Sequence, residues 1–222
     1  MSEQKDWTKE EIEKEYIGEM TAVTIPVNLH LDGKQHILSL VEMKDILEEA
    51  SVISVGECGC RTRVKTCDAP LDVCLSLDEA ANDAIKRGSA KKVSLKRALE
   101  VLKRSHDAGL VHITYTFKDD ERPRYVCSCC SCCCHSMSGL VRFRIPEAVV
   151  ASKYVVTHNY ETCINCGTCV ERCQFKARRM EDNEMVFDKT RCFGCGVCTS
   201  TCPTDSNLLV KRKCEPLPNA LL

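Results

Sequence analysis

Glu161 to Pro203 reads ETCINCGTCVERCQFKARRMEDNEMVFDKTRCFGCGVCTSTCP. Cys163, Cys166, Cys169 and Cys173 follow the spacing C-x-x-C-x-x-C-x-x-x-C; Cys192, Cys195, Cys198 and Cys202 repeat it, and Pro203 comes directly after the last. Three such closely spaced thiolates wrap one corner of a cubane, while the fourth points away and serves a second cluster. The spacing therefore implies two [4Fe-4S] clusters, one on Cys163, Cys166, Cys169 and Cys202, the other on Cys173, Cys192, Cys195 and Cys198. A pair of zinc sites is the competing reading. Zinc knuckles, however, need no two interleaved sets of four cysteines.

Outside this stretch the totals are ordinary, except for cysteine. The 222 residues are 44% apolar, and 31 basic against 32 acidic residues leave a formal charge of -1, which gives no footprint of a nucleic-acid binder. No apolar run approaches the roughly 20 residues that cross a bilayer. The charged start MSEQKDWTKEEIEKEY has no signal-peptide core, so a cytoplasmic location is expected. Nineteen cysteines in a reducing compartment point to metal or cluster ligation rather than to disulfides.

Thr8 with Glu11 forms a capping box opening a helix to about Met20. Val23 to Leu31 alternate as a strand, Asp32-Gly33 supplies a turn, and Lys34 to Leu40 reads as the return strand. A helix over Val41 to Ala50 and a strand over Val52 to Val55 follow. Ser76 with Glu79 is expected to cap a helix ended by Gly88. Ser94 starts another helix with one apolar face, stopped by Gly109, and Val111–Phe117 with Arg124–Cys127 reads as a hairpin. The expected class is α+β: a cysteine-rich domain over 1–150 with winged-helix-like elements, then a ferredoxin-like dicluster domain over 151–222. No low-complexity linker marks the join, so the two parts are expected to pack together.

From Val155 to Val210 the sequence resembles the bacterial dicluster ferredoxin family. That likeness implies two low-potential clusters, and Gly167, Gly194 and Gly196 fit its tight cluster-binding loops. Gln174 departs from the family, which usually has proline after the fourth cysteine. Arg172, Lys176, Arg178, Arg179, Lys189 and Arg191 lie among or beside the ligands. They read first as solvated cations offsetting cluster charge and second as a docking patch for an acidic partner.

Ten further thiols precede this region: Cys58, Cys60, Cys67 and Cys74, then Cys127, Cys129, Cys130, Cys132, Cys133 and Cys134. Together with the tail they resemble a family of anaerobe iron-sulfur proteins. The likeness is carried by Cys58-Gly59-Cys60-Arg61, Cys67-Asp68-Ala69-Pro70 and Asp72-Val73-Cys74-Leu75, followed by a cysteine-dense run. In an extended strand Cys127, Cys129 and Cys133 would face one side and Cys130, Cys132 and Cys134 the other; a helix would group Cys130 with Cys133 and Cys134. The ten thiols suffice for one or more further iron-sulfur clusters, the favoured reading, ahead of zinc or a redox-active thiol site. His135 is a candidate ligand or proton donor. Arg61 and Arg63 are candidate partners of cluster sulfur, although exposed loop arginines are the commoner case, and Cys214 reads as a spare thiol.

There is no G-x-G-x-x-G after a strand and no P-loop, so electrons must come from another protein or a small molecule. The expected role is single-electron relay to or from a partner oxidoreductase, as a free carrier or as part of a multi-subunit complex. The alternative is a reductase with its catalytic cluster in the N-terminal region, fed by the tail. A redox-sensing DNA-binding regulator is disfavoured by the charge balance.

Overall fold

A computed structural model describes residues 6–16, 20–25, 38–117 and 120–212. Thr8 and Glu11 exchange backbone N–H bonds of 3.0 and 3.1 Å, the reciprocal cap read from the sequence, and α1 spans Lys9–Tyr16. β1 (Met20–Ile25) is the first strand of the expected hairpin; its turn, and most of its return strand, lie outside the described residues. The end of that return segment is helical instead, because α2 begins at Leu38 and runs to Glu49.

β2 (Ile53–Gly56), α3 (Gly59–Val64), β3 (Cys74–Leu77), α4 (Asp78–Lys86), β4 (Ala90–Val93), α5 (Leu95–Asp107), β5 (Val111–Phe117) and β6 (Asp120–Cys129) follow in order. Ser76 does not cap α4. It pairs with Ser54 inside the sheet, and Leu77 stands at the cap position with no side-chain hydrogen bond. Ser94 does cap α5, accepting the Arg97 N–H at 3.3 Å, and Ala98, Val101 and Leu102 on its apolar face are buried. Gly109, at φ +77°, ends the segment as expected.

The winged-helix expectation gives way to a six-stranded antiparallel sheet in the order β1-β5-β6-β3-β2-β4. β5 and β6 are interior strands with partners on both sides, so they cannot form a free wing. His112 and Thr114 of β5 are buried together with Val111, Ile113 and Tyr115, so both faces of the strand are covered.

α6 (His135–Val141) leads to the C-terminal part, where β7 (Tyr154–His158) pairs antiparallel with β10 (Asn207–Lys211). Between them lie α7 (Thr168–Glu171) and a hairpin of β8 (Arg178–Glu181) and β9 (Glu184–Phe187). The hairpin turns at Asp182-Asn183, both with positive φ, as a two-residue turn matching strand twist requires. Gly194, at φ +70°, lies so close to the Tyr154 carbonyl that a Cβ would collide with it. Phe175, Phe193 and Val197 of the C-terminal part join the buried residues of the sheet and of α5, with the Phe175 and Phe193 rings stacked at 4.5 Å, while Val155, Val156, Ala177 and Met185 belong to a second buried cluster within the C-terminal part. Among the described residues no helix is long and apolar enough to cross a membrane.

Candidate iron-sulfur and metal centres

Two cavities in the C-terminal part carry the tail thiols. One is lined by Cys163, Cys166, Cys169 and Cys202, the other by Cys173, Cys192, Cys195 and Cys198. The fourth cysteine of each run thus lies with the first three of the other, the interleaving implied by the spacing. The surroundings suit a sulfur-rich anionic group. Backbone N–H groups of Asn165, Ala177 and Ser206 reach the sulfurs of Cys163, Cys173 and Cys202 at 3.4, 3.3 and 3.3 Å. Burial pushes the thiols of Cys195 and Cys198 up, the latter to about 12, so thiolates at these positions require a cation beside them.

The basic residues divide between roles. Arg178 is buried at 3% exposure; it lines the second cavity, sits 4.2 Å over the Phe187 ring, and its guanidinium donates to Cys169 Sγ of the first cavity at 3.7 Å, so it stands between the two. Arg172 holds the carbonyls of Asp107 and His106 at 2.7 and 2.8 Å and ties the tail to α5. Lys176, Arg179 and Lys189 are exposed, as the solvated reading expects.

Gln174, the departure from the ferredoxin pattern, spans the join. Its Oε1 accepts the Ser131 N–H and hydroxyl, both at 2.9 Å, and its Nε2 donates to the Gly109 carbonyl at 3.2 Å. Proline can make none of these bonds. Gln174→Ala is expected to cost about 1–3 kcal/mol, because it leaves half-buried polar groups unpaired. A denaturant midpoint indistinguishable from that of the parent protein would contradict this.

The N-terminal thiols separate into two groups. Cys67, from the loop after α3, meets Cys130, Cys132 and Cys133, with all four sulfurs within 4.8 Å of one another. The other six, Cys58, Cys60, Cys74, Cys127, Cys129 and Cys134, line a chamber of about 420 Å³ with Trp7, Tyr115 and His135 on its wall. Neither strand parity nor helical spacing describes the dense run throughout. β6 ends at Cys129, with Cys127 and Cys129 on one face, and the turn at Ser131–Cys133 then sends Cys133 to the Cys130 group and Cys134 back to the chamber.

Arg61 joins the two groups. Expected as an exposed loop arginine, it is 2% exposed. It donates to the carbonyls of Pro70 and Ser128 at 3.0 to 3.1 Å and to Cys130 Sγ at 3.6 Å. Arg63 instead pairs with Glu11 at 3.0 Å and stacks over Trp7. In the chamber, hydrogen bonds from the Cys60 and Cys74 thiols pull Cys58 down to about 2, while the bond to Cys134 pushes Cys60 up and the bond to Cys127 pushes Cys74 up. His135 Nδ1 lies 3.4 Å from Cys60 Sγ, and the Tyr115 hydroxyl lies 3.8 and 4.0 Å from Cys134 and Cys129. Tyr115 was not singled out from sequence; the β5–β6 register, which sets it two residues beyond Ile113 and its partner Cys127, is the signal that places it there.

Two buried histidines, His112 of β5 and His106 of α5, meet beside the tail. His112 bonds Ser128 Oγ at 3.1 Å, His106 bonds Ser200 Oγ at 2.5 Å, and their rings stack at 6.4 Å. Burial, with the nearby Arg172 cation, pushes His106 down to about 4, against the opposing pull of Asp107; burial, then His106, pushes His112 down to about 3. Both are therefore neutral in the fold at pH values where an unfolded histidine, with a pKa near 6.5, takes up a proton. Their contribution to stability is complete above about pH 6.5 and is lost as pH falls through about 4 for His106 and about 3 for His112, on the order of 3 and 5 kcal/mol. His112→Gln should flatten the rise of stability between pH 5 and 6.5. An unchanged slope in denaturant titrations at those two pH values would refute it.

Residues 162–206 match the family model described as a 4Fe-4S dicluster domain. This segment is a dicluster domain of the kind the ferredoxin resemblance implied, and such a domain supports an iron-sulfur electron-transfer role. The chain is also 28% identical over 76 residues to an archaeal-type glutamate synthase [NADPH] of Dehalococcoides mccartyi, covering 33% of this chain and 15% of that protein. It is 30% identical over 73 residues to the enzyme of the same name from Thermotoga sp. (strain RQ2), covering 32% of this chain and 14% of the relative. The chain thus spans about one seventh of the length of the curated relatives it matches.

Proposed function

We propose that this chain is an iron-sulfur electron-transfer protein or subunit that relays single low-potential electrons to or from a partner oxidoreductase. The observation that carries the proposal is the pair of four-thiol cavities within the dicluster segment. In it Cys163, Cys166, Cys169 and Cys202 hold one [4Fe-4S] cluster and Cys173, Cys192, Cys195 and Cys198 the other. Bound clusters of this type supply one-electron exchange at potentials on the order of -400 mV. Val156, Phe187 and Phe193 line the second cavity with apolar side chains, and Arg178 and the backbone donate hydrogen bonds to the sulfurs of Cys169 and Cys173. The likeness to part of a glutamate synthase supports a place in a larger redox complex. The division into a cysteine-rich domain over 1–150 and a ferredoxin domain over 151–222, and a cytoplasmic location, belong to the same proposal.

The test is anaerobic titration of the whole protein with a low-potential donor. Reversible uptake of about two electrons by the tail, with no added substrate consumed, is the expected result. Tail clusters that no such donor reduces would overturn it.

A specific observation favours a second reading, a reductase. The six-thiol chamber holds about 420 Å³, against about 20 and 10 Å³ for the two tail cavities. A further iron-sulfur cluster there would leave room for a small molecule beside it, and an iron without a fourth thiolate is open to a ligand. His135 and Tyr115 stand at the wall as proton donors. On this reading Cys74→Ser abolishes substrate-dependent oxidation of the reduced protein while the tail still cycles; oxidation that survives the substitution would remove the chamber from the chemistry.

A further inference from the structure

We propose that Cys67, Cys130, Cys132 and Cys133 hold one zinc ion in a closed tetrahedral site, distinct from all the iron-sulfur chemistry of the chain. The spacing of the sulfurs carries the assignment. Cys67 Sγ lies 3.8 Å from Cys130 Sγ and 3.9 Å from Cys133 Sγ, and all four sulfurs fall within 4.8 Å of one another. A zinc ion with Zn–S bonds of about 2.3 Å sets its four sulfurs about 3.8 Å apart, the edge of the tetrahedron. A cubane holds its four thiolates on separate irons and spreads them to about 6 Å.

The same chain supplies the comparison. Among the described residues no three of the eight tail thiols gather within 4.8 Å, although the dicluster segment brings them around two cavities in sets of four. The fold therefore sets cubane thiols wide and this group close.

The site is also closed. Cys133 is fully buried and Cys130 is 3% exposed. Four sulfurs complete a tetrahedral shell with no position left for water or substrate, the pattern of a structural rather than a catalytic site. Such a site carries a net charge of about -2, and the buried guanidinium of Arg61, 3.6 Å from Cys130 Sγ, offsets part of it. A single ferrous ion fits the same tetrahedron, but zinc lies above ferrous iron in the affinity order for such ligands. The ion would tie the loop after α3 to the turn that follows β6, and so fix one wall of the neighbouring chamber.

The test uses the full chain purified without oxygen. Metal analysis is expected to give about one zinc per chain, and X-ray absorption at the zinc edge four sulfurs at about 2.3 Å. Cys132→Ser, at the partly exposed position, should lose that zinc and keep its iron, whereas Cys166→Ser in the tail should lose about four irons and keep the zinc. A parent protein without zinc, a zinc edge that shows oxygen or nitrogen neighbours, or a Cys132→Ser variant that loses iron and sulfide would overturn the assignment. The absorption measurement needs no variant, so it stands even if Cys132→Ser does not fold. The electron-relay proposal is untouched by either result, since it is read from reduction of the tail.

Discussion

Cys202→Ala combined with Cys163→Ala should remove no more iron than either substitution alone, about four atoms per chain, whereas Cys202→Ala with Cys195→Ala should remove about eight. The prediction follows from the interleaved cavities, in which Cys202 lines the same wall as Cys163 and Cys195 lines the other. Substitutions that act on one site fail to add, and those on separate sites add. Iron and acid-labile sulfide per chain, measured in protein kept from oxygen, give the answer directly. If the Cys202/Cys195 pair lost only four irons, each run of four cysteines would hold its own cluster and the interleaving would be wrong.

The second large effect is expected at Arg61. Arg61→Leu leaves the carbonyls of Pro70 and Ser128 without their donor, and it removes the cation beside the Cys130 sulfur. Breaking a buried charged network on one side costs about 3–5 kcal/mol. In a protein of this size that lowers the midpoint of thermal unfolding by roughly 10 °C. Arg61→Lys should recover little, since an ammonium cannot fork to two carbonyls and a sulfur at once. A midpoint within 2 °C of the parent in either variant, under roughly the resolution of such a scan, would show that Arg61 does not bind the two blocks together.

The tail was legible because its signal is local. Seven residues carry three thiols, and the spacing alone predicts which fourth thiol joins them. The caps at Thr8 and Ser94 and the stop at Gly109 were legible for the same reason, each being a choice made within a few residues. The winged-helix expectation failed because β5 and β6 were read as a pair, and nothing local tells that β1 and β3 will close on their outer edges. Ser76 misled in the same way, since its cap signal was overridden by pairing with Ser54. In the dense run the parity of a strand was the right rule up to Cys129 and the wrong one after it, because the turn at Ser131 resets the direction of every later side chain. Arg61 and Gln174 owe their roles to partners more than forty residues away, which no window along the chain contains.

The separation of 63 residues between Cys67 and Cys130 sets an order in time. Three of the four thiols of each tail cavity lie within one loop of seven residues, and the fourth comes from the other run. Cys67 and the Cys130 turn meet only after β3 has docked on β6, because closing so long a loop has an entropic cost that the sheet must first offset. On the proposed assignments the Cys67 site is therefore completed only once the sheet has formed, whereas each tail loop gathers three of its four thiols by itself.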